Sequence, residues 1–399
     1  MNTLALRFLV LVIALMLALA GCDRPADKTA RPDFVSGASQ PVGAGADRIT
    51  FVSAGMHLYL EEIVSTGHVI WAMDFIGPDT MIFTERQGAV RLLALHTGKL
   101  SELSGGPAVM ATDSGGLFDV LVDPNFSNNQ FIYFTYVKGL GDPGGRSTVA
   151  VARSRKHGDT LTNTVDFFVA NNPSADHAHW GSRIVMDSNR RLFFSSGDRH
   201  VADDAQRLSS HGGKVLRIDA EGTVPNDNPF VGQPDAMPEI WSYGHRNPQG
   251  LAIQPGTGLL FEQEHGPTGG DEINIIKKGN NYGWPVITYG KDIWGGQLPE
   301  GTEKAGMEQP LRYFNPGIAP SGIAFYAGNT LPGWQGSVFS STLRGYVVRL
   351  ELDRGVVTAE ERLLSAWGER IRDVAEGPDG NLYLATESGK IARVVRVKE

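Results

Sequence analysis

The sequence predicts an all-β fold, a six-bladed β-propeller built from four-stranded antiparallel blades. The chain scatters 49 Gly and 22 Pro among short alternating apolar runs, and its main part lacks long stretches with a helical period. A strand, a turn and a second strand rich in aromatic and aliphatic residues recur six times. Several copies continue into a third strand that carries a basic residue, as in GKVLRIDA at 213–220.

The six copies have the length of propeller blades. They start near Trp71, Asp119, Arg183, Gly250, Gly322 and Arg372. Successive copies are spaced by roughly 50 to 70 residues, which suits a blade and is too long for one coil of a β-helix. Because a blade buries its faces only against its neighbours, six blades are expected to close around a central channel. The mouth of that channel is the expected ligand site.

Two segments, residues 197–235 and 264–310, interrupt the repeat. Together they are rich in Gly, Asp and Asn, and the second also carries Tyr and Trp. Long insertions of this kind usually carry function, so both are predicted to be ordered binding loops. Trp294 in the second segment is a candidate platform for stacking on a sugar ring.

The first residues predict export and lipid anchoring. Arg7 precedes an uncharged apolar run, 8–20, that is too short to span a bilayer comfortably. The run ends in Leu-Ala-Gly-Cys, which resembles a bacterial lipobox with Cys22, the only cysteine, as the lipidated residue; the alternative is an ordinary signal with a chance cysteine. Asp23 resembles an inner-membrane retention signal, so a periplasmic protein anchored to the inner membrane is expected.

Three regions follow from this pattern: a lipoprotein signal peptide at 1–21, a flexible tether at 22–48 and the propeller at 49–399. The tether has almost no large apolar side chains with which to offset the entropy of ordering. The formal net charge of the whole chain is −8, and no dense basic run is present. The charge therefore argues against nucleic acid as a partner.

The densest motifs lie at the centre of the chain. GHRNPQG at 244–250, HGP and DEIN between 265 and 274, and NYGWP at 281–285 occur together with GGLFDV, HWGSR, GDR, PSGIAFY and RIRDV. This ordered set resembles the glucose/sorbosone dehydrogenase family, six-bladed propellers that hold pyrroloquinoline quinone (PQQ) and calcium. The resemblance implies an oxidoreductase that oxidises the C1 hydroxyl of aldose sugars to lactones and passes electrons to an external acceptor.

The resemblance assigns the cofactor contacts to four residues. Arg246 and Asn247 would donate to the reactive quinone carbonyl, while Arg370 and Arg372 would pair with the PQQ carboxylates. Arginine suits carboxylates because its guanidinium donates two parallel hydrogen bonds, and residues two apart on a strand share one face. The alternatives are an ion pair that braces a loop for Arg246 and an ordinary surface strand for the other two.

Calcium ligands are implied in the same motifs. The carbonyls of Gly266 and Pro267 would hold the calcium of the cofactor, and Glu272 with the Tyr282 carbonyl would hold a second, structural calcium. Oxygen donors from a turn are the ligands that calcium prefers. Adjacent acids such as Asp271 and Glu272 also commonly form a solvated turn, and that alternative stays open.

His179 in HWGSR is the implied catalytic base, because oxidation of a hydroxyl by hydride transfer requires removal of the hydroxyl proton. A satisfied loop histidine is the alternative. His177 stands two residues earlier, but two histidines without further ligands make a weak zinc signal.

Three positions depart from the family pattern. Ser114 replaces the glutamine that touches the quinone, Leu343 replaces a lysine that pairs with the cofactor, and Ala178 replaces an acid before the base. Arg344 follows Leu343, but strand alternation would place it on the other face. The departures leave two other functions open: a non-catalytic binding propeller that has lost PQQ, and a calcium-dependent lactonase.

Overall fold

The computed structural model describes residues 37–38, 48–291 and 300–397, and the strands in these ranges form the six blades of a β-propeller. We number the blades one to six by the position of their first strand. Blades one to three consist of Ile70–Phe75, Thr80–Glu85, Val90–Ala94 and Lys99–Leu103; Leu117–Val122, Phe131–Gly139, Ser147–His157 and Thr160–Val169; and Gly181–Met186, Arg191–Ser196, Lys214–Asp219 and Ile240–Tyr243. Blades four to six consist of Pro248–Ile253, Leu260–Glu264, Asp271–Ile276 and Arg312–Phe314; Pro320–Phe325, Val338–Thr342, Val347–Asp353 and Val356–Leu363; and Ile371–Glu376, Leu382–Thr386, Lys390–Arg396 and Met56–Ser65.

Helical structure in the described residues is short. It comprises the α-helix Phe126–Asn129 and the 3₁₀ turns Ala202–Gln206, Pro332–Trp334 and Ser365–Trp367. The all-β prediction is confirmed, and each predicted repeat start lies within a few residues of the first strand of a blade. Among residues 37–38, 48–291 and 300–397, no helix is both long and apolar enough to cross a membrane.

The second strands show why the repeat folds this way. Leu260–Glu264, Val338–Thr342 and Leu382–Thr386 are buried at every residue. Each blade is covered on both faces by its neighbours, so a middle strand has no solvent-facing side. The turn before Leu382–Thr386 contains Gly380 at φ 75°, a left-handed conformation that favours glycine.

The ring closes by pairing the two ends of the propeller domain. Met56–Ser65 lies antiparallel to Lys390–Arg396 and supplies the fourth strand of blade six, while Thr50–Ser53 adds a fifth. The sequence repeat had shown only the three C-terminal strands of this blade. Blade five also gains a fifth strand, Gly37–Ala38, which lies within the predicted tether and pairs parallel with Val356–Leu363.

A buried arginine lies where the first strands meet. Arg183 Nη1 lies 2.9 Å from Asp373 Oδ1 and 3.5 Å from Asp119 Oδ1, and its guanidinium stacks on Trp71 at 4.2 Å. It also donates to the carbonyls of Gln249 and Arg372 at 2.8 and 2.9 Å. We call Arg183, Asp119 and Asp373 the axial cluster. This one side chain joins blade three to blades one, two, four and six.

Each predicted insertion contains the third strand of a blade. Segment 197–235 contains Lys214–Asp219 of blade three, which the repeat predicted within GKVLRIDA, whereas Asp271–Ile276 of blade four in segment 264–310 was not predicted. The connections therefore lie on either side of these strands. The buried ammonium of Lys214 fixes the loop before its own strand by donating to carbonyls of that loop, Asp204 at 2.7 Å, Ala205 at 3.1 Å and Gly212 at 2.6 Å. Trp294, Cys22, Asp23 and the signal segment lie outside the described residues.

Candidate active site

The predicted site residues meet at one end of the blades. Most of them lie just before or at the start of a first strand, or just after a second strand, and these positions face each other because the two strands are antiparallel. Glu272 lies on the third strand of blade four, and Tyr282 lies in the loop after that strand. Gly181 pairs with Ser196, Pro248 with Glu264, and Ile371 with Thr386. Hydrogen bonds link blades at this end, for example from the Gly181 N–H to Asn247 Oδ1 at 3.2 Å. We call this region the channel mouth.

His179 is held by an acid that the sequence analysis did not assign. Its Nδ1 lies 2.6 Å from Asp198 Oδ1, and the other carboxylate oxygen accepts a 2.7 Å bond from Trp284 Nε1. Burial acts to raise the pKa of Asp198, but its bond to His179 and the charge of Arg246 outweigh burial and lower it. The ionised carboxylate therefore fixes the His179 ring with Nε2 as the unprotonated nitrogen.

The electrostatics of the channel mouth favour a neutral His179. Burial lowers its pKa, and the charge of Arg246 and the neighbouring His200 ring act in the same direction against Asp198. Its side chain is 13% exposed. An imidazole in this state can accept a proton from a bound hydroxyl, as the base assignment requires.

A second histidine, His200, lies against His179. The two Nε2 atoms are 3.0 Å apart, and His200 Nδ1 lies 2.7 Å from Asp176 Oδ2. His177, by contrast, lies against Trp180 with ring centroids 6.3 Å apart. The His-Ala-His pair of the sequence is therefore not brought together here.

Arg246 lies beside His179 and at the start of blade four. Its Nη1 donates to the carbonyls of His265 at 3.2 Å and Gly266 at 2.9 Å, and its backbone carbonyl accepts from the Asp198 N–H. Asn247 Oδ1 accepts from Gly181 N and from the side chain of Gln249. These bonds turn the amide nitrogen of Asn247 away from those donors and leave it available as a donor itself.

Arg370 and Arg372 share a face, as predicted, and both bind the same protein carboxylate. Arg370 Nε and Arg372 Nη2 each donate to Glu387, directly after the second strand of blade six. We call these three residues the arginine cluster. The Arg372 side chain is 11% exposed, and its Nε, which is buried, makes no hydrogen bond within the described residues. The cluster thus has one more cation than anions.

Three carboxylates lie behind Arg246: the buried Glu262 and Glu264 and the partly buried Glu272, which we call the acid cluster. The Asn274 side chain donates to all three at 3.0 to 3.5 Å. The pKa values of Glu262 and Glu272 are both raised well above the ordinary value of a glutamate. Burial is the larger cause, and the negative charge of Glu264 is the second. Ligand atoms of His245, Glu262 and Glu264 lie within 4.8 Å of one another, which is a spacing that could hold a metal ion.

A cavity of about 20 Å³ adjoins the acid cluster, which is room for one water or ion. Three of the predicted calcium ligands line this cavity, namely Gly266, Glu272 and Tyr282. Glu264 of the acid cluster lines it as well. Pro267 follows Gly266 in the chain but does not line the cavity. The structure therefore gathers most of the predicted metal ligands around one small space.

The three departures from the family pattern also lie at the channel mouth. Ser114 Oγ donates to the carbonyl of His177 and accepts from Trp180 Nε1 at 3.3 Å. The Leu343 side chain is buried, and its carbonyl accepts from Arg370 at 3.1 Å, while Arg344 is exposed. Ala178 offers no acid, and Asp198 binds His179 at Nδ1 instead.

Sequence reasoning missed the acids that orient the site. Asp198, Glu264 and Glu387 each end or follow the second strand of a blade, opposite a predicted residue on the first strand. The signal was available in the repeat, because an acid recurs at this position in blades three, four and six. His200 carries no comparable signal, since it lies in a loop outside the repeat.

Comparisons with known proteins agree with this geometry. The family model described as glucose / sorbosone dehydrogenase matches residues 68–394. Aldose sugar dehydrogenase YliI of Escherichia coli K12 is 40% identical over 334 residues, covering 81% of this chain and 89% of that protein. Quinoprotein glucose dehydrogenase B of Acinetobacter calcoaceticus is 27% identical over 397 residues, covering 78% and 82%.

Solved structures give the same result. The crystal structure of the soluble aldose sugar dehydrogenase of E. coli in the apo-form superposes with a TM-score of 0.82 and 37% identity, covering 85% of this chain and all of that one. The shared fold, the ordered motifs and the family match agree, and this chain belongs to the glucose/sorbosone dehydrogenase family.

Proposed function

We propose that this protein is a PQQ- and calcium-dependent dehydrogenase that oxidises the C1 hydroxyl of aldose sugars to lactones. The observation that carries the proposal is the oriented base: His179, fixed by the ionised Asp198 and flanked by Arg246 at the mouth of a propeller channel. The names of the relatives support the substrate and the cofactor, since they include an aldose sugar dehydrogenase and a quinoprotein glucose dehydrogenase.

The residues of this chain would handle the proton of the reaction. His179 Nε2 accepts the proton of the C1 hydroxyl while the hydrogen on C1 leaves with its electron pair, and the lactone carbonyl forms. Asp198 keeps the ring in the required tautomer and stabilises the imidazolium that results. When bound, PQQ would supply the acceptor for the hydride and calcium would polarise its quinone carbonyl, after which an external acceptor would take the electrons.

The arginine cluster fits a ligand with several carboxylates. Arg372 has a buried Nε that makes no hydrogen bond in the part of the chain that the structure describes, and a buried donor of this kind is costly unless a ligand completes it. Arg246 and Asn247 would donate to the quinone, Arg370 and Arg372 would hold carboxylates, and Ser114 would lie at the edge of the slot.

The acid cluster fits a divalent cation. Buried carboxylates this close together require protons or a cation, and the adjoining cavity has the volume of one ion. Glu272 and Tyr282 would hold this calcium. The carbonyl of Gly266, which already faces the Arg246 guanidinium, would with Pro267 hold the calcium of the cofactor.

The test is a titration of the mature chain with PQQ and calcium, following dye reduction with a panel of aldoses. We expect saturable, calcium-dependent reduction that is lost in His179→Ala and retained in the matched variant His177→Ala. Undiminished oxidation by His179→Ala would refute the base assignment. Absence of PQQ binding would favour a binding propeller, and lactone turnover without PQQ would favour a lactonase.

We also propose that Cys22 anchors the protein to the periplasmic face of the inner membrane. The support is the lipobox-like sequence at the end of a short apolar leader, followed by Asp23. Replacing Cys22 with Ala should release the protein from membranes, and a variant that still sediments with them would contradict the anchor.

A further inference from the structure

The contact between His179 and His200 is held by unusual backbone geometry. The two rings lie nearly perpendicular with centroids 3.9 Å apart. His179, Arg199 and His200 have φ values of 48°, 54° and 58°, all in the left-handed region that residues with side chains rarely adopt. Strain of this kind persists only where the surroundings impose it, and it concentrates at functional positions.

The carboxylates around the two rings fix their tautomers. His179 Nδ1 faces Asp198, and His200 Nδ1 faces Asp176, so each Nδ1 carries the hydrogen that it donates to its carboxylate. Both Nε2 atoms are then acceptors. Their 3.0 Å separation becomes an N–H···N hydrogen bond when one further proton is placed on the pair. Oxidation of a hydroxyl would deliver one such proton to His179.

We propose that His200 is a proton relay, a positioning and transfer residue that receives the substrate's proton from His179 and releases it to solvent. The inference rests on the proposed function of His179 as the base. In the relay, the Nε2–H bond of His179 breaks and the Nε2–H bond of His200 forms. His200 then gives the proton to water or buffer, which restores both neutral rings.

Exposure and charge favour this direction of transfer. The His200 side chain is 47% exposed, compared with 13% for His179, so the second ring reaches solvent where the first does not. Asp176 beside His200 is also partly exposed. Its negative charge attracts the proton outward, while Arg246 on the inner side repels it from His179.

The remaining charged group at this contact is Arg199. Its guanidinium lies over the Trp180 ring at 3.3 Å and donates to the carbonyls of Ala178 and Asp176. Its hydrogen bonds therefore hold the loop that carries His179. The groups that set the protonation of the pair are Asp176, Asp198, Arg199 and Arg246.

The first test needs no cofactor and reads the rings directly. In ¹⁵N spectra of the histidine rings, we expect His179 and His200 both to carry hydrogen on Nδ1 at alkaline pH and to share one proton as the pH falls. In His200→Ala and His200→Gln, the shared proton should disappear, and the His179 ring should titrate alone at a pKa that differs from that in the unaltered protein. An unchanged titration of His179 in both variants would overturn the relay.

The second test uses dye reduction by the protein loaded with PQQ and calcium. In His200→Ala at low buffer concentration, kcat should fall by about tenfold with little change in KM, and added imidazole should restore it. His177→Ala is the matched control and should behave as the unaltered protein. A structural defect would not respond to imidazole.

The outcomes separate the relay from the proposed function. If the unaltered protein is active and His200→Ala keeps the same kcat at every buffer concentration, the relay is wrong and the dehydrogenase stands. If the unaltered protein shows no PQQ-dependent activity, the proposed function fails, and the ring titrations alone decide whether the two histidines share a proton.

Discussion

The axial cluster and the acid cluster are both buried groups of charge, but they differ in how far the protein neutralises them. In the axial cluster, Arg183 lies between Asp119 and Asp373, and backbone N–H groups of Ile184 and Met73 donate to the same carboxylates. In the acid cluster, three carboxylates face the single ring of His245, whose Nδ1 lies 3.1 Å from Glu264 Oε1 and 3.9 Å from Glu262 Oε2. Glu262 Oε1 makes no hydrogen bond within the described residues.

The difference separates residues that serve the fold from residues that await a ligand. A buried charge with a built-in partner fastens blades together, whereas unmatched buried carboxylates require protons or an external cation. The arginine cluster is unmatched in the opposite sense, since two guanidinium groups share Glu387. The two incomplete clusters have opposite signs, as a calcium ion and a carboxylate-bearing cofactor would require.

Breaking the axial cluster should have the largest effect. Arg183→Met leaves two buried carboxylates without their cation, and we expect a loss of about 4 kcal/mol of unfolding free energy, measured by urea denaturation. Arg191→Met in the neighbouring strand is the control. Its partner Asp219 lies 3.6 Å away and its side chain is 33% exposed, so a loss below about 1 kcal/mol is expected. Equal losses in the two variants would contradict the distinction.

Removing one carboxylate from the acid cluster should abolish the stabilisation by calcium. At calcium about 100-fold above its Kd, the unaltered protein should gain about 2.7 kcal/mol of unfolding free energy. Glu272→Gln should lose this gain, yet be as stable as the unaltered protein in chelator, because one source of repulsion is removed. Glu102→Gln, at a 57% exposed side chain, should retain the gain. A full calcium effect in Glu272→Gln would place the ion elsewhere.

The axial cluster should make stability fall as pH rises toward neutrality. Burial raises the pKa of Asp119 to about 7. The positive charge of Arg183 acts to lower this pKa, and the negative charge of Asp373 acts to raise it. The folded protein therefore keeps a proton that the unfolded chain releases near pH 4. Stability is lost as pH rises through about 7, by up to about 1.4 kcal/mol per pH unit. Asp373→Asn should flatten this slope in urea titrations between pH 5 and 7, and an unchanged slope would assign the proton to another group.

The smallest effect is expected beside the arginine cluster, where Leu343 replaces the lysine of the family pattern. Leu343→Lys places an ammonium beside Arg370, and PQQ binding should tighten by about tenfold, or about 1.4 kcal/mol. Arg344→Leu, at an exposed position, should leave the affinity unchanged. Weaker binding by Leu343→Lys would show that the buried leucine is itself part of the ligand slot.

The blades could be predicted because they are local. Each hairpin carries its own alternation and its own turn, so all six starts lay within a few residues of the observed first strands. The fourth strand of blade six could not be found this way, because Met56–Ser65 finds its partner at the other end of the domain. The strand Asp271–Ile276 within segment 264–310 was also not predicted, because its two adjacent acids are typical of a loop.

Sequence motifs were sufficient to predict some residues of the site. The hydrogen-bond partners of these residues were missed, because the fold brings them together from distant parts of the sequence. His179, Arg246 and Glu272 came from the family resemblance, and the structure brings them to the channel mouth with their neighbours. Their partners are distant in sequence, and Glu387 in particular became visible only when blade six placed it beside Arg370 and Arg372. His200 depends on the path of a single loop, which neither propensity nor spacing determines.

The closing strand of the ring imposes an order on the making of the protein. Met56–Ser65 is made before the first strand of blade one, whereas its partner Lys390–Arg396 is made after the other strands of the six blades. Until the chain is complete, the early strand has an open edge of the kind that promotes aggregation, and its contact has a very long sequence separation. A chain that stopped before Lys390 would lack this partner strand, so termination there should yield an unclosed ring and not a smaller closed propeller.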